Sequence, residues 1–328
     1  MAHEQPDGGA PIDLAGKRVL VTGGAGFLGA RIVEKLKERG AVVLAPRKAN
    51  YDFVRFDHAL SCMRNYTPEI VVHSAAYYGG IWINKMYPAD IYFQNLVMGA
   101  NVFEASRRAG VKKLVAVGTA CSYPGEVEGE LRESELWNGP CHESVENYGP
   151  VKKMMVLQGR AYKKQYGLDS AHVILTNLYG PGDTFNPERS HVVSALIRKF
   201  VEAHQAGAPC VPCWGTGAPI REFLYVDDCA EGIVRATERY SDWREPVNIG
   251  TGIGTSIREL AETIQDVLGY TGEIAWDPSK PDGAMKKVLD VTKMRSTLGW
   301  EPTTTLRDGL AKTIDWYVAH KDEADRRA

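Results

Sequence analysis

Residues 18–29 read RVLVTGGAGFLG, and this stretch decides the fold. An apolar run comes first, and an amphipathic stretch from Ala30 to Arg39 follows the glycines. Strand, tight glycine turn and helix in this order are typical of a dinucleotide-binding unit. Gly23, Gly26 and Gly29 would let the backbone turn sharply, approach a pyrophosphate and pack the helix against the strand. The free N–H groups at the start of that helix would then bind the phosphates.

The apolar runs alternate with helical patterns through the first half of the chain. Strands are predicted at 18–22, 41–45, 70–73, 113–118 and 171–176, and helices at 27–39, 57–65, 92–109 and 149–167. This alternation predicts an α/β fold, a Rossmann-type doubly wound parallel sheet with a smaller C-terminal lobe. Ligands are expected in the crevice at the carboxyl ends of the strands, where the two lobes meet.

The domain boundaries follow from where this pattern changes. Beyond residue 177, frequent Pro and Gly predict loops over 177–225 with one helix at 190–204, followed by a returning strand at 246–249 and a helix at 256–268. We expect an NADP-binding domain at 13–176, with its returning strand near 226–250, and a substrate lobe at 177–225 and 251–320. The tails 1–12 and 321–328 are expected to be mobile.

Composition narrows the class of protein. The 328 residues are 44% hydrophobic and 24% charged, as in a soluble globular chain, and the net charge of −2 argues against nucleic acid as a partner. Among the six cysteines, Cys210 and Cys213 form one Cys-x-x-Cys pair, but no second ligand pair completes a zinc spacing, so we expect a reduced, cytoplasmic protein without a metal site. No apolar run is long enough to span a membrane, and no membrane partner is expected.

The residue that ends the second strand predicts which nicotinamide dinucleotide is bound. An acid there would bond the ribose 2′-OH, whereas a basic residue accommodates a 2′-phosphate. Arg47, with Lys48 as a helper, therefore favours NADP, unless the pair is an ordinary solvated basic turn. Asp52 lies about twenty residues past the glycines, where an acid favours NAD. We expect Asp52 one strand later, nearer the adenine.

Tyr148 and Lys152 stand four residues apart at the start of a long helical pattern. Residues at this spacing share one helix face. A lysine ammonium near a phenol lowers the phenol pKa below its usual value of about 10. The pair therefore predicts a proton donor or acceptor, although an aromatic ring packed under a lysine stem would give the same spacing.

These features resemble the extended short-chain dehydrogenases/reductases, and within them the GDP-L-fucose synthase family. The resemblance runs in order from about residue 17 to about 318. Beyond the glycine turn, Thr119, Tyr148 and Lys152, it rests on the stretches His73-Ser74-Ala75-Ala76, Gly79-Gly80-Ile81, Tyr87-Pro88-Ala89-Asp90, Gln94-Asn95, Cys121-Ser122-Tyr123-Pro124, Thr176–Pro181, Ser190-His191-Val192, Trp214–Gly217, Arg221–Asp228 and Pro281-Asp282-Gly283.

The resemblance implies a catalytic set. Thr119 takes the position of the family's serine, Tyr148 and Lys152 keep theirs, and Cys121 and His191 supply the additional pair. Threonine in place of serine is a departure that retains the hydroxyl and adds a methyl group. Free cysteine is often simply buried, and a histidine at a helix start often caps it, so both residues also have structural interpretations.

The implied reaction has two steps. The C4 ketone acidifies the hydrogens on C3 and C5, and epimerisation removes each proton on one face and returns one on the other. Cys121 and His191 suit this exchange because their usual pKa values, about 8.5 and 6.5, bracket the working pH. Tyr148 and Thr119 would donate hydrogen bonds to O4 in both steps. Reduction with NADPH then completes the product.

Binding residues are implied in the same way. For NADP they are Gly23, Gly26, Phe27, Leu28, Gly29, Arg47, Asp52, Ala75, Tyr148, Lys152 and His191. For the GDP-sugar they are Asn177, Val192, Lys199, Trp214 and Arg221. The basic residue expected beyond His191 is either Arg198 or Lys199. Arg221 would contact the diphosphate unless it pairs with Glu222, and Trp214 fits core packing equally well.

The sequence leaves three alternatives to this function. The substrate could be a GDP-4-keto heptose, because the loops that form the sugar pocket are not specified by the motifs. The chain could epimerise without net reduction, as isomerases of the superfamily do. It could also be a cofactor-sensing protein without catalysis, although Tyr148 and Lys152 both remain. By analogy with relatives, helices 92–109 and 149–167 would pair two subunits into a homodimer.

Overall fold

A computed structural model describes residues 10–127, 129–280, 282 and 284–326 of the chain. Its helices are α1 (Phe27–Glu38), α2 (Phe56–Tyr66), α3 (Ile81–Met86), α4 (Pro88–Arg108), α5 (Gly149–Tyr166), α6 (Val192–Ala206), α7 (Val226–Arg239), α8 (Ile257–Leu268), α9 (Thr292–Leu298), α10 (Leu306–Ala319) and α11 (Lys321–Arg326). Its strands are β1 (Arg18–Thr22), β2 (Val42–Leu44), β3 (Ile70–His73), β4 (Lys113–Thr119), β5 (Asp169–Leu175), β6 (Asn177–Tyr179), β7 (Cys210–Trp214), β8 (Ile220–Arg221), β9 (Phe223–Tyr225), β10 (Val247–Ile249), β11 (Thr255–Ser256), β12 (Glu273–Asp277) and β13 (Lys286–Lys287).

The central sheet has six strands in the order β2-β1-β3-β4-β5-β10. Every neighbouring pair in it is parallel. The strand order reverses between β1 and β3, and ligands of such sheets bind at the carboxyl ends beside this reversal. The predicted α/β doubly wound fold is confirmed.

Both faces of the sheet are covered because its strands are apolar on both sides. Val19 and Val21 point into one core with α1 and α7, whereas Leu20 points into the other with α2 and α4. This alternation follows from the two-residue period of a strand. Burying a side chain such as Leu20 stabilises the fold by roughly 1.5–3 kcal/mol. The sheet is therefore a rigid base for whatever its carboxyl ends carry.

The smaller lobe has its own core, formed mainly by α6, α8 and α10. Short strands surround it in the pairs β6·β9 and β7·β12 and in the sheet β11-β8-β13. Ser256 and Glu259 form a capping box at the start of α8, which satisfies two free backbone donors.

Residues 177–225 differ from the prediction of loops and one helix, because they also contain β6, β7, β8 and β9. These strands are short, lie between Gly and Pro residues, and pair with distant segments; β7, for example, pairs with β12. Such strands lack a local period that sequence reading can detect. Helix α7, which begins directly after β9, was not predicted either, although its 14 residues have an amphipathic helical pattern.

The chain ends also differ from the expectation of mobile tails. Residues 321–326 form α11, where Ala324 is buried and Asp325 accepts a hydrogen bond from the Tyr317 hydroxyl at 2.9 Å. At the other end, residues 1–9 of the predicted tail lie outside the described residues, and the Ile12 N–H donates to the Glu238 carbonyl at 2.8 Å. Within the described part of the chain, every helix is too short or too polar to cross a membrane.

Candidate active site

The glycine turn after β1 forms a cradle that only glycine permits. Gly23 has φ +71°, and a Cβ there would lie 2.9 Å from the Ala75 backbone. A Cβ on Gly29 would collide with the Gly23 carbonyl. Gly26 is the N-cap residue of α1, so the free N–H groups of the first turn begin at this point. The turn and helix start therefore fit the pyrophosphate of a dinucleotide.

A cavity of about 980 Å³ opens at the carboxyl ends of the central strands. Its wall contains every residue predicted to contact the dinucleotide, together with Thr119: Gly23, Gly26, Phe27, Leu28, Gly29, Arg47, Asp52, Ala75, Thr119, Tyr148, Lys152 and His191. The cavity is thus large enough for a nucleotide cofactor and reaches from the glycine turn to the predicted catalytic residues.

The far end of the cavity carries the predicted 2′-phosphate site. Arg47 and Lys48 follow β2 and both line the wall. Asp52 is not one strand later, as expected, but lies in the loop between β2 and α2. Its carboxylate accepts from the Val54 N–H at 3.1 Å and shapes that loop. Arg47 and Lys48 therefore line a cavity, whereas the basic residues of an ordinary solvated turn would not.

Tyr148 and Lys152 are both buried at the start of α5. The Lys152 Nζ donates to the Val117 carbonyl at 3.2 Å and lies 5.8 Å from the centre of the Tyr148 ring. Burial lowers the pKa of Lys152 to about 8. Burial is the main cause that raises the pKa of Tyr148 above its usual value, and negative charge on Cys121 raises it further.

The expected lowering of the Tyr148 pKa by Lys152 is therefore wrong for this structure. Desolvation of the phenol outweighs the neighbouring ammonium, whose own charged form is disfavoured by the same burial. Tyr148 consequently stays protonated near neutral pH, which is the form that donates a proton.

Thr119 and Cys121 occupy the turn where β4 ends. The Thr119 Oγ1 accepts a hydrogen bond from the Cys121 N–H at 3.2 Å and so starts the short helical turn 120–122. Cys121 is half-buried and packs against Tyr148, Ile83 and Ile91. Cys121 is not among the residues of the cavity wall, but it packs beside Tyr148, which is part of that wall.

His191 occupies the N-cap position of α6, where its side chain makes no capping hydrogen bond, and it lines the cavity. Its Nε2 is buried and has no hydrogen-bond partner among the described residues. Burial lowers the pKa of His191 to about 4, so the imidazole is neutral near pH 7 and able to accept a proton. The fold thus brings His191 to the same cavity as Tyr148, although 43 residues separate them.

The residues predicted for the sugar nucleotide lie outside the cavity wall, on the smaller lobe. The Arg221 Nη1 donates to the Ile220 carbonyl at 2.8 Å, and burial lowers the pKa of this guanidinium. Arg221 does not pair with Glu222, because the Glu222 carboxylate is buried and accepts from the N–H groups of Gly252 and Leu289. The guanidinium therefore keeps donors for an anionic ligand.

Trp214 is 69% exposed, which excludes core packing as its role. The Lys199 Nζ lies 5.7 Å and the Lys280 Nζ 6.0 Å from its ring centre. Asn177 donates to the Glu222 carbonyl oxygen at 3.0 Å. Val192 is the first residue of α6. These residues form a surface beyond the cavity rather than part of its wall.

The geometry of the smaller lobe favours Lys199 over Arg198 as the basic residue that contacts a ligand. Arg198 pairs with the carboxylates of Glu202 at 2.9 Å and Asp325 at 3.1 Å, so its charge is already neutralised within the lobe. Lys199 donates to the Pro212 carbonyl and lies over the Trp214 ring, and no carboxylate of the described residues pairs with it. Lys199 is therefore the cation better placed for a ligand.

Sequence reading missed several residues of the wall, above all Tyr77, Tyr78, Asp183 and Arg189. Tyr77 and Tyr78 lie between two stretches that the sequence analysis did single out, residues 73–76 and 79–81. Their position just past the end of β3 was the available signal, since residues after parallel strands line such crevices.

Comparisons with known proteins agree with this geometry. Residues 19–250 match the model of the family described as Epimerase, the NAD dependent epimerase/dehydratase family. The chain is 42% identical over 302 residues to GDP-L-fucose synthase 1 of Arabidopsis thaliana, covering 92% of this chain and 93% of the relative.

Solved structures give the same result. A GDP-L-fucose synthetase from Naegleria fowleri bound to NADP superposes with a TM-score of 0.88 at 28% identity, covering 97% of this chain and 99% of that one. A GDP-6-OMe-4-keto-L-xylo-heptose reductase from C. jejuni gives 0.86 at 27% identity, covering 95% and 100%. The resemblance read from the motifs is confirmed.

Proposed function

This chain belongs to the NAD dependent epimerase/dehydratase family, and we propose that it catalyses the NADPH-dependent 3,5-epimerisation and 4-keto reduction of a GDP-4-keto-6-deoxy sugar. The observation that carries this proposal is the shared cavity wall of Thr119, Tyr148, Lys152 and His191, with the Cys121 thiol beside the Tyr148 ring. Relatives named GDP-L-fucose synthase support the choice of a GDP-sugar.

In the epimerisation, Cys121 and His191 exchange protons with C3 and C5. His191 is neutral and removes a proton from one face of the carbon, while the Cys121 thiol delivers a proton to the opposite face. Transfer of a proton from the protonated His191 to the Cys121 thiolate then restores both groups. Negative charge develops on O4 as either carbon is deprotonated. Tyr148 and Thr119 stabilise that charge by donating hydrogen bonds to the oxygen.

In the reduction, Tyr148 donates its proton to O4, for which its raised pKa keeps it in the correct form. NADPH, held by the glycine turn, Arg47 and Lys152, supplies the hydride when bound. Lys152 orients the ribose side of the site through its fixed Nζ, which the Val117 carbonyl holds. Both steps use the same pocket because both place negative charge on the same oxygen.

The direct test incubates the protein with NADPH and GDP-4-keto-6-deoxy-D-mannose in D₂O. We expect a fall in NADPH absorbance and incorporation of two deuterons, at C3 and C5. Failure to oxidise NADPH with any GDP-4-keto sugar contradicts the reductase proposal. Deuterium in the sugar without NADPH oxidation would instead identify an epimerase without net redox chemistry.

A GDP-4-keto heptose is the second candidate substrate. The likeness to the C. jejuni heptose reductase favours it, because that structure covers nearly the whole chain. Competition between hexose and heptose substrates in one reaction measures the ratio of kcat/KM values directly. A ratio in favour of the heptose would reassign the substrate and leave the catalytic set unchanged.

Replacing Arg47 by alanine is expected to weaken NADPH binding by about 10- to 100-fold while leaving NADH binding nearly unchanged. The lost contact is a charge-assisted hydrogen bond to the 2′-phosphate, worth about 1.5–3 kcal/mol. Titration of intrinsic fluorescence with each cofactor measures the two dissociation constants. Lys48→Ala is the matched control and is expected to lose less. Equal losses for NADPH and NADH would remove Arg47 from the 2′-phosphate site.

The two lobes divide the work in this proposal. Residues 13–176, with the returning strand near 226–250, hold NADP, and residues 177–225 and 251–320 hold the GDP-sugar. The contiguous cofactor wall and the position of Arg221, Lys199 and Trp214 on the smaller lobe support this division. A cytoplasmic location fits the six cysteines, all of which are free.

The protein is proposed to form a homodimer through α4 and α5. Large apolar side chains are exposed on both helices: Tyr92 at 48%, Phe93 at 57%, Met154 at 38% and Leu157 at 43%. Such a cluster is unusual on a monomer and marks an interaction surface. Light scattering should give twice the chain mass, and Phe93→Glu with Leu157→Glu should halve it. A monomeric wild-type protein would contradict this assignment.

A further inference from the structure

Tyr78 contacts the two aromatic residues that the proposed chemistry uses. Its ring stacks on the His191 imidazole, with the ring centres 4.8 Å apart and the planes 23° apart. The same ring lies 5.6 Å from that of Tyr148, with a 37° tilt. Both separations fall within the range that aromatic pairs prefer, about 4.5–7 Å. Tyr78 thus contacts both the proton acceptor of one step and the proton donor of the other.

The backbone around Tyr78 is held on both sides. The buried side chain of Asn95 accepts from the Tyr77 N–H at 2.9 Å and donates to the Tyr77 carbonyl at 2.8 Å. Two residues past Tyr78, the Gly80 N–H donates to the Arg189 carbonyl at 3.0 Å. The bond from Gly80 to Arg189 ties this loop to the segment that leads into His191. The ring position is therefore fixed by the fold rather than by the Tyr78 side chain alone.

The side chain of His191 depends on this contact for its orientation. The Nε2 of His191 has no hydrogen-bond partner among the described residues, so no hydrogen bond at this atom fixes the plane of the ring. The Tyr78 ring covers one face of the imidazole and keeps water from that face. Tyr78 is itself 47% exposed, and its stacked ring is the aromatic contact of His191 among the described residues.

We propose that Tyr78 is a positioning residue for His191, which it holds by stacking in the plane and the water-poor setting that proton exchange with the sugar requires. The catalytic role of His191 in this statement rests on the proposed function. The stacking itself, and its effect on the imidazole, do not.

The surroundings of His191 leave burial as the cause of its low pKa. Titratable and charged groups on the wall around it come from several elements: Tyr78 after β3, Tyr148 and Lys152 of α5, Asp183 and Arg189 before α6, and Arg47, Lys48 and Asp52 at the far end, with Cys121 next to Tyr148. Removing the Tyr78 ring would admit water to the imidazole, and its pKa would then rise towards the usual value of about 6.5.

The test follows the histidine ring signals by NMR between about pH 5 and 8, the interval in which an ordinary histidine changes charge. His191→Asn identifies the signal of interest by its loss. We expect the wild-type and Tyr78→Phe proteins to show no titration of His191 in this interval, because both keep the ring. Tyr78→Ala is expected to titrate within it. An unchanged signal in Tyr78→Ala overturns the proposal.

A second readout follows deuterium exchange at C3 and C5 of the sugar. Loss of orientation should slow exchange by about 10- to 100-fold in Tyr78→Ala, whereas Tyr78→Phe should retain the wild-type rate. Reduction of a sugar that is already epimerised should change less. Equal losses in Tyr78→Phe and Tyr78→Ala would mean that the hydroxyl, not the stacked ring, is required, and would overturn the proposal.

Two further measurements keep the outcomes separate. Thermal unfolding reports whether Tyr78→Ala is folded; if it is not, Tyr78→Leu keeps apolar bulk without a stacking plane and is expected to slow exchange in the same way. A wild-type protein that neither exchanges deuterium nor oxidises NADPH would refute the proposed function. In that case the NMR titration, which needs no substrate, still decides whether Tyr78 controls His191.

Discussion

Tyr148→Phe is expected to lower the rate of 4-keto reduction by about 10²–10⁴-fold, the usual contribution of a positioned general acid. Phenylalanine keeps the buried ring and its contacts with Ile83, Ile91 and Cys121, so the fold should be unaffected. What is removed is the proton that Tyr148 holds at neutral pH because burial raises its pKa. Stopped-flow absorbance of NADPH under single-turnover conditions measures this step.

Tyr166→Phe is the matched control, since Tyr166 ends the same helix and is exposed. It should react at the wild-type rate. NADPH binding should be the same in both variants, which separates loss of chemistry from loss of the cofactor. Wild-type turnover by Tyr148→Phe would exclude this phenol as the proton donor and move that role to another hydroxyl of the wall, such as that of Thr119.

Cys121→Ser and His191→Asn are each expected to slow proton exchange at C3 and C5 by about 10²–10⁴-fold. Serine retains a hydrogen-bonding group but is far less acidic than a thiol, and asparagine retains polarity without a base. Reduction of a pre-epimerised sugar should suffer less, because its proton comes from Tyr148. Deuterium incorporation followed by mass spectrometry measures exchange, and NADPH oxidation measures reduction.

The controls for these two variants lie on the smaller lobe. Cys210 is exposed on β7, and His204 lies in the last turn of α6, away from the cavity. Cys210→Ser and His204→Asn should leave both steps unchanged. Equal losses of exchange and reduction in Cys121→Ser or His191→Asn would refute the division of labour between the Cys-His pair and Tyr148.

The site was predictable wherever its signal was local. Gly23, Gly26 and Gly29 are required by one turn between one strand and one helix, and the structure uses them in that turn. Tyr148 and Lys152 needed only the four-residue spacing at the start of a helix. Arg47 needed only its place after the second strand. All these residues line the cavity.

The site was not predictable where it depends on segments that meet only after folding. Tyr78 stacks on His191 across more than a hundred residues of sequence, and no spacing rule connects them. The pairing of Arg198 with Asp325 of the last helix, which favours Lys199 for the ligand, is equally remote. The short strands of 177–225 belong to the same class, because their partners lie far along the chain.

By itself, the sequence determined the parallel sheet, the dinucleotide turn and the pairing of Tyr148 with Lys152, because each depends on neighbours within about one helix or one strand-turn-helix unit. Only the tertiary structure decided the directions in which the pKa values of these groups shift. Burial raises the pKa of Tyr148 despite the nearby Lys152, and it lowers that of His191. Desolvation depends on how distant segments pack together, and the pattern of residues along the chain does not specify the solvent exposure of a site.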